Sequence, residues 1–159
     1  FPTRRSSDLE IDNSKISFLN SFIPLSDDKN EHSIVTLIQY NDINILLMGD
    51  ATVNNEDILM KRYNLPKIDI LKVGHHGSRT SSSKLFIKDI EPKISLISSG
   101  KNNKYHLPNL DVIQRLKYYG SKVFDTQDNG ELTINLDEEV YIVYRDILNQ
   151  KSLARESIS

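Results

Sequence analysis

Apolar residues in this chain come in short runs that alternate between two periods. Ser33–Gln39 (SIVTLIQ) is β-branched and apolar, Asn41 and Asp42 mark a turn, and Ile43–Met48 (INILLM) is a second run of strand length. Together they predict a hairpin. From Val53 to Tyr63 the apolar positions Val53, Ile58, Leu59 and Tyr63 keep roughly helical spacing, with Thr52 as N-cap, Glu56 and Asp57 in the early turns and Pro66 closing the segment. Ile68–Val73 (IDILKV) alternates like a strand and runs into Gly74-His75-His76-Gly77-Ser78. A short helix follows over Ser82–Ile90 with Leu85, Phe86 and Ile90 inward, then a strand over Lys93–Ser98. Asn109–Tyr119 predicts a helix with Val112, Ile113 and Leu116 on one face and Gly120 as its cap, and Lys122–Asp125 predicts another strand. Asp128-Asn129-Gly130 marks a turn, and Leu132–Leu136 with Val140–Tyr144 forms a closing antiparallel pair around Asp137–Glu139. Strands alternating with helices imply an α/β fold, a mixed sheet flanked by helices and finished by antiparallel strands.

The ends lack this patterning. Phe1–Leu9 (FPTRRSSDL) has no period and no initiating Met, and reads as a non-native or disordered lead, a joining scar ahead of a truncated domain. Residues 10–146 then form the partial domain, and residues 147–159 a frayed helix or polar tail. At 159 residues, 38% hydrophobic and 26% charged, the chain has material for one core. The absence of cysteine removes a disulfide framework, a cysteine zinc cluster and a thiol nucleophile. No apolar run exceeds five residues, and Ile45–Met48 is the longest aliphatic one, far below the roughly 20 residues that cross a bilayer, so the stretch reads as a soluble segment.

The net charge of -2 hides an asymmetry. Between Lys61 and Lys122 there are 13 Lys and Arg against 4 acids, a balance of +9, and the rest of the chain carries -11. A positive middle can hold an anionic partner through Coulomb attraction and counterion release, which brings nucleic acid or another polyphosphate into view. The same charges on Lys84, Lys88, Arg115 and Lys117 serve equally well to solvate helix faces.

Candidate chemistry gathers at two strand ends. Ile43–Met48 runs into Gly49-Asp50, and Ile68–Val73 runs into the His75-His76 pair. In open sheets ligands collect at the carboxyl ends of strands, and a carboxylate with a neutral imidazole is a common donor set for a divalent metal. Asp50 alone fits a turn or a helix cap, and a loop histidine pair fits a surface feature. Their order, 25 positions apart at consecutive strand ends, points to one rim.

LLMGDA, DILKVGHHGSRTSSS and EPKISLISSGKNNKYHLPNLDVIQRLKYYGSKVFDTQDNGELTI resemble the carboxy-terminal half of the metallo-β-lactamase-type hydrolase domain of ComEC-family competence proteins, and KNEHSIV at Lys29–Val35 resembles the segment before its hairpin. The likeness covers about Lys29–Tyr144, and HHGS after a strand is its most specific part. It implies a four-layer αββα sandwich whose halves share two divalent metal ions, zinc or manganese. It implies Asp50 as the metal-bridging carboxylate and one of His75 and His76 as the late histidine ligand; His76 is the favoured ligand, with His75 on the substrate side or buttressing the ligand, these three being the catalytic set. Metal-activated water would attack phosphorus, giving a phosphodiesterase or nuclease acting on DNA during uptake, in a bacterial parent linked to a membrane channel with this domain outside the bilayer. Ser78, Arg79, Lys101, Asn102, Lys104 and His106 sit in loops after strands and would contact phosphate oxygens without reading bases.

The sequence departs from that family in two places. The family's His-x-His-x-Asp-His motif is absent, since the histidines are His32, His75, His76 and His106, so this segment by itself is expected to be inactive and to need the amino-terminal half of the domain as its partner. Leu107 also stands immediately before Pro108, where many relatives place a histidine. Two other functions fit the same residues: a non-catalytic module of this fold that binds a polyanion or a partner, and a metallohydrolase for a different phosphodiester.

Overall fold

A computed structural model describes residues 8–19, 27–136, 141–144 and 154–157. Seven strands form one mixed sheet in chain order: β1 (Asp8–Ile11), β2 (Ser14–Phe18), β3 (Thr36–Tyr40), β4 (Ile43–Leu47), β5 (Ile70–Lys72), β6 (Ile94–Ile97) and β7 (Lys122–Asp125). β1 to β4 are an antiparallel meander, whereas β4 to β7 run parallel. The parallel connections pass through α1 (Val53–Arg62), α2 (Lys84–Ile90) and α3 (Leu110–Tyr118), as parallel pairing requires a long return path. A single turn, α4 (Thr126–Asn129), leads from β7 into a three-stranded antiparallel sheet of β8 (Leu132–Asn135), β9 (Tyr141–Tyr144) and β10 (Ala154–Ser157). The expected hairpin and closing pair are therefore present, while the turn between β8 and β9 lies outside the described residues.

Alternation along each strand divides the core. Leu37, Leu46, Leu71 and Ile97 pack with Leu59 of α1, Phe86, Ile87 and Ile90 of α2, and Val112 and Leu116 of α3. On the opposite side Ile94 and Phe124 pack with Ile142 of β9, against which Leu96, Leu132 and Ile134 also lie. Register places Ile16, Ile38, Ile45, Ile70 and Ile94 in one row across five strands of this second face. Ile70 and Ile94 are buried, whereas Ile16, Ile38 and Ile45 are only half-buried.

Three expectations change. Leu85 points outward, 68% exposed, and Ile87 takes the inward place. With Ser83 as N-cap, its hydroxyl accepting from the Phe86 N–H at 3.3 Å, the inward stripe is Phe86, Ile87 and Ile90, and Leu85 lies about 200° round the helix from Ile87. Asp8 and Leu9, read as part of the lead, are paired strand residues of β1, while residues 1–7 lie outside the described residues. Within the expected polar tail, Ala154–Ser157 pairs with β9 as a strand.

Glu56 ties α1 to the start of α2. Its carboxylate accepts from the Ser82 N–H at 2.5 Å and the Ser83 N–H at 2.8 Å, and Arg115 of α3 donates to the Ser82 carbonyl at 2.5 Å. Burial pushes the Glu56 carboxyl above the usual range, against the lowering effect of those N–H groups. The folded state therefore holds this proton more tightly than the unfolded chain does. The group's contribution to stability is largest below the unfolded carboxyl value of about 4.3, and declines as pH rises from there to the raised folded value. Glu56→Gln is expected to remove that slope in urea titrations run across the acid range. Glu56→Ala, which strips two N–H groups of their partner, is expected to cost about 2–4 kcal/mol.

Candidate functional site

All four parallel strands end on the same edge, so β4, β5, β6 and β7 deliver Gly49-Asp50, Gly74–Gly77, Ser98–Ser99 and Asp125 to one rim. The first two loops are tied directly, because the His75 N–H donates to the Gly49 carbonyl at 3.0 Å. The Asp50 N–H donates to the Ser33 hydroxyl at 3.1 Å, which steadies the carboxylate-bearing turn. Gly74 has no room for a side chain, since a Cβ there would stand 2.9 Å from the Ala51 carbonyl oxygen.

His75 and His76 both sit in the left-handed region, at φ 46 and 53. Two successive non-glycine residues in that conformation carry a cost of order 1–3 kcal/mol each and are held by surrounding structure. The conformation sends their rings to different partners. The His76 Nε2 lies 3.4 Å from Asp50 Oδ1, while His75 Nδ1 lies 3.2 Å from the Thr80 hydroxyl, itself 3.1 Å from Ser78 Oγ.

The other nitrogen of His76 decides what that pair can do. Its Nδ1 is 2.6 Å from the Ser98 carbonyl, which can only accept, so Nδ1 carries the hydrogen. A neutral His76 then presents the Nε2 lone pair to a carboxylate oxygen, two acceptors face to face. Such an arrangement is satisfied by a proton or a metal cation between them, and the bond from the opposite ring nitrogen to a backbone carbonyl is the usual means of orienting a metal-binding imidazole. Among the described residues no third carboxylate, imidazole or thiol joins this pair in a metal-sized group. Lys72, at the end of β5, is half-buried with its Nζ donating to the Val73 carbonyl at 3.0 Å. Burial pulls its ammonium below the ordinary lysine range, and the Asp50 carboxylate opposes that shift.

The expected phosphate-contacting residues are placed unevenly. Ser78 is tied into the His75–Thr80 cluster, and exposed Arg79 faces Asp111 at 3.7 Å. Lys101, Asn102, Lys104 and His106 are all exposed on the loop from β6 to α3. Elsewhere the positive surplus is partly compensated: Lys67 pairs with Glu91, Lys93 with Asp69 and Lys122 with Glu156. Arg79 is compensated in the same way by Asp111, which leaves Lys101 and Lys104 on the β6–α3 loop as the basic part of the rim.

Several groups at the rim were not singled out from sequence. Asn103 anchors the loop: its amide donates to the Gly100 carbonyl at 2.9 Å and the Leu107 carbonyl at 2.6 Å, and its Oδ1 accepts from the Leu107 N–H at 2.9 Å. Ser99 donates to Asp125 Oδ1 at 2.6 Å, and its N–H donates to Thr126 Oγ1 at 2.9 Å. Asp125 is buried, burial raises its carboxyl, and its Oδ2 has no hydrogen-bond partner among the described residues. Beside His76, the residues Ser98, Ser99, Asn103, Tyr105 and Leu107 line an open hollow of about 400 Å3. Asparagine at a loop position was the only signal in the sequence for this wall.

No family model matches the chain. It is 39% identical over 110 residues to Recombination protein 2 of Haemophilus influenzae, a match covering 69% of this chain and 14% of that protein. To ComE operon protein 3 of Bacillus subtilis it is 35% identical over 129 residues, 81% of this chain and 17% of the relative. To Competence protein ComA of Neisseria gonorrhoeae it is 34% identical over 111 residues, 69% of this chain and 16% of the relative. The chain thus spans about a sixth of the length of these curated relatives or less.

Proposed function

Because this chain belongs to the ComEC/Rec2 family of competence proteins, we propose that it is the segment of a metal-dependent phosphodiesterase, a nuclease acting on DNA during uptake, that contributes a bridging carboxylate at Asp50 and an imidazole ligand at His76. The observation that carries this reading is the pair itself: an imidazole Nε2 and a carboxylate oxygen 3.4 Å apart at adjacent strand ends, with the opposite ring nitrogen, Nδ1, held by the Ser98 carbonyl. That separation fits two donors on one edge of a tetrahedral site, about 3.4 Å for bonds of about 2.1 Å. Two divalent cations, zinc or manganese, would supply there a water of lowered pKa for attack on phosphorus.

The chain's own residues do the rest. Asp50 and His76 hold the cation side, His75 faces the substrate beside Ser78 and Thr80, and Arg79, Lys101, Asn102, Lys104 and His106 hold phosphate oxygens along the rim. The remaining ligands come from a second structural half, as in an αββα metallo-β-lactamase-type sandwich. The half-buried Ile16, Ile38 and Ile45 on the face away from the helices support such a second sheet. No helix among the described residues is long and apolar enough to cross a membrane, which suits a domain held outside the bilayer of a membrane-linked parent.

The two-ligand count also favours a second reading, a polyanion-binding module without catalysis. Titrating the chain with Zn2+ or Mn2+, followed by the imidazole signals in NMR, separates the two. The expected result is weak binding at His76, lost in both Asp50→Ala and His76→Ala, with no hydrolysis of a generic phosphodiester. Metal binding that survives both substitutions would overturn the assignment, and an unresponsive His76 in the unaltered chain would leave the module.

A further inference from the structure

We infer that the hollow beside His76 is a subsite for a single unpaired nucleobase, with the Tyr105 ring as its stacking surface. The inference rests on the phosphodiester reading above and adds to it the form of the substrate. His76, Ser98, Ser99, Asn103, Tyr105 and Leu107 line the hollow.

The hydrogen bonds within this wall decide what can bind in it. The Ser98 carbonyl is taken by His76, the Ser99 hydroxyl by Asp125 and its N–H by Thr126, and the Asn103 amide by the backbone of Gly100 and Leu107. A phosphate placed here would find the Asn103 amide and the Ser99 hydroxyl and N–H already engaged, with the exposed Ser98 and Tyr105 hydroxyls as the side-chain donors left to it. What the hollow offers a ligand is mainly ring and aliphatic surface, which suits the face of a base and reads no sequence.

The ring is presented ready for use. Tyr105 is 68% exposed, yet it stands on a loop held at both ends by the Asn103 amide, so little order has to be created on binding. Lys104 sits over the ring, its Nζ 4.7 Å from the centroid, without lining the hollow. Lys104 and Lys101 thereby carry positive charge on the same short loop as the ring, the combination of cations and aromatic by which single strands are held. A base that enters the hollow must leave its stack, which costs least in an unpaired strand and more in a duplex. The occupant is therefore single-stranded DNA.

Fluorescence anisotropy of the full chain with labelled short strands tests this. The base-bearing single strand is expected to bind roughly 5- to 150-fold tighter than a strand of equal length with abasic sites, the range of one base stack. Tyr105→Leu is expected to bring the base-bearing strand to the abasic level with abasic binding unchanged, and Tyr105→Phe to restore the difference. The joint Lys101→Ala and Lys104→Ala variant is expected to weaken binding to both strands. Equal affinity for the two strands in the unaltered chain, or equal loss on both in Tyr105→Leu, would overturn the subsite while leaving the polyanion reading intact. Failure to bind either strand would overturn both.

Discussion

Asp50→Ala, placed in a complete ComEC/Rec2-type protein carrying this segment, is expected to lower phosphodiester turnover by at least roughly 10²–10³-fold, the loss that follows removal of a single strong transition-state contact. Asp50 follows the end of β4 and faces His76 Nε2 at 3.4 Å, so its removal takes away one of the two donors proposed for a cation. His76→Ala should match it. His75→Ala should be milder, because the His75 ring is engaged with Thr80 and not with Asp50. DNA binding should survive all three, since the proposal places it on Arg79, Lys101 and Lys104. Substituting those three bases should have the converse effect: weaker binding with a flatter dependence on salt, because fewer counterions are released, and unchanged metal content. Full turnover by Asp50→Ala with metal present would return the Gly49-Asp50 turn to a purely structural role.

The parts of this site that were legible in the sequence are those that one residue and its neighbours determine. Asp50 and the histidine pair could be placed at strand ends because INILLM and IDILKV are apolar runs broken abruptly by glycine, a local signal that the register of β4 and β5 makes spatial. The choice between His75 and His76 depends on long-range geometry: the Ser98 carbonyl, 22 residues onward and invisible as a side chain, is what fixes the His76 ring. Tyr105 was hidden for a related reason. An exposed tyrosine between Lys104 and His106 reads as ordinary loop, and becomes a lining residue only when the Asn103 amide folds the loop back beside His76. Leu85 failed in the opposite direction. In a seven-residue helix several inward stripes fit the apolar positions, and which one is buried is decided by the partner surface offered by α1, α3 and the sheet. The positive middle segment was read correctly as a count, but Lys67, Lys93 and Lys122 find acids from other elements, so charge along the chain overstated charge at the rim.

Gly77→Ala is expected to damage both stability and the site, more than any other glycine-to-alanine change at the rim that leaves the ligands untouched. Gly77 adopts φ +75, and a Cβ there would stand 2.7 Å from Pro108 Cβ, a distance real side chains do not occupy. Pro108 is buried and cannot swing aside as a flexible side chain would. Alanine therefore brings a left-handed backbone penalty of about 1–2 kcal/mol and an overpacking cost of about 1–3 kcal/mol, together about 2–5 kcal/mol. Relief requires Pro108 to move, and the Asn109 N–H bond to the Gly77 carbonyl, 2.9 Å long, joins that movement to the start of α3 and to the loop bearing His76. Two controls separate the contributions. Gly120 has φ +86 with nothing within 4 Å of an added Cβ, so Gly120→Ala should show the backbone penalty alone. Gly100 has open space and no such φ, so Gly100→Ala should stay within about 0.5 kcal/mol of the parent. Urea unfolding of the three variants gives the order, and the His76 imidazole signals report whether the pair with Asp50 has opened. If Gly77→Ala proved no worse than Gly120→Ala, the contact with Pro108 would not be holding the β5 loop against the start of α3, and the position of His76 would need another anchor.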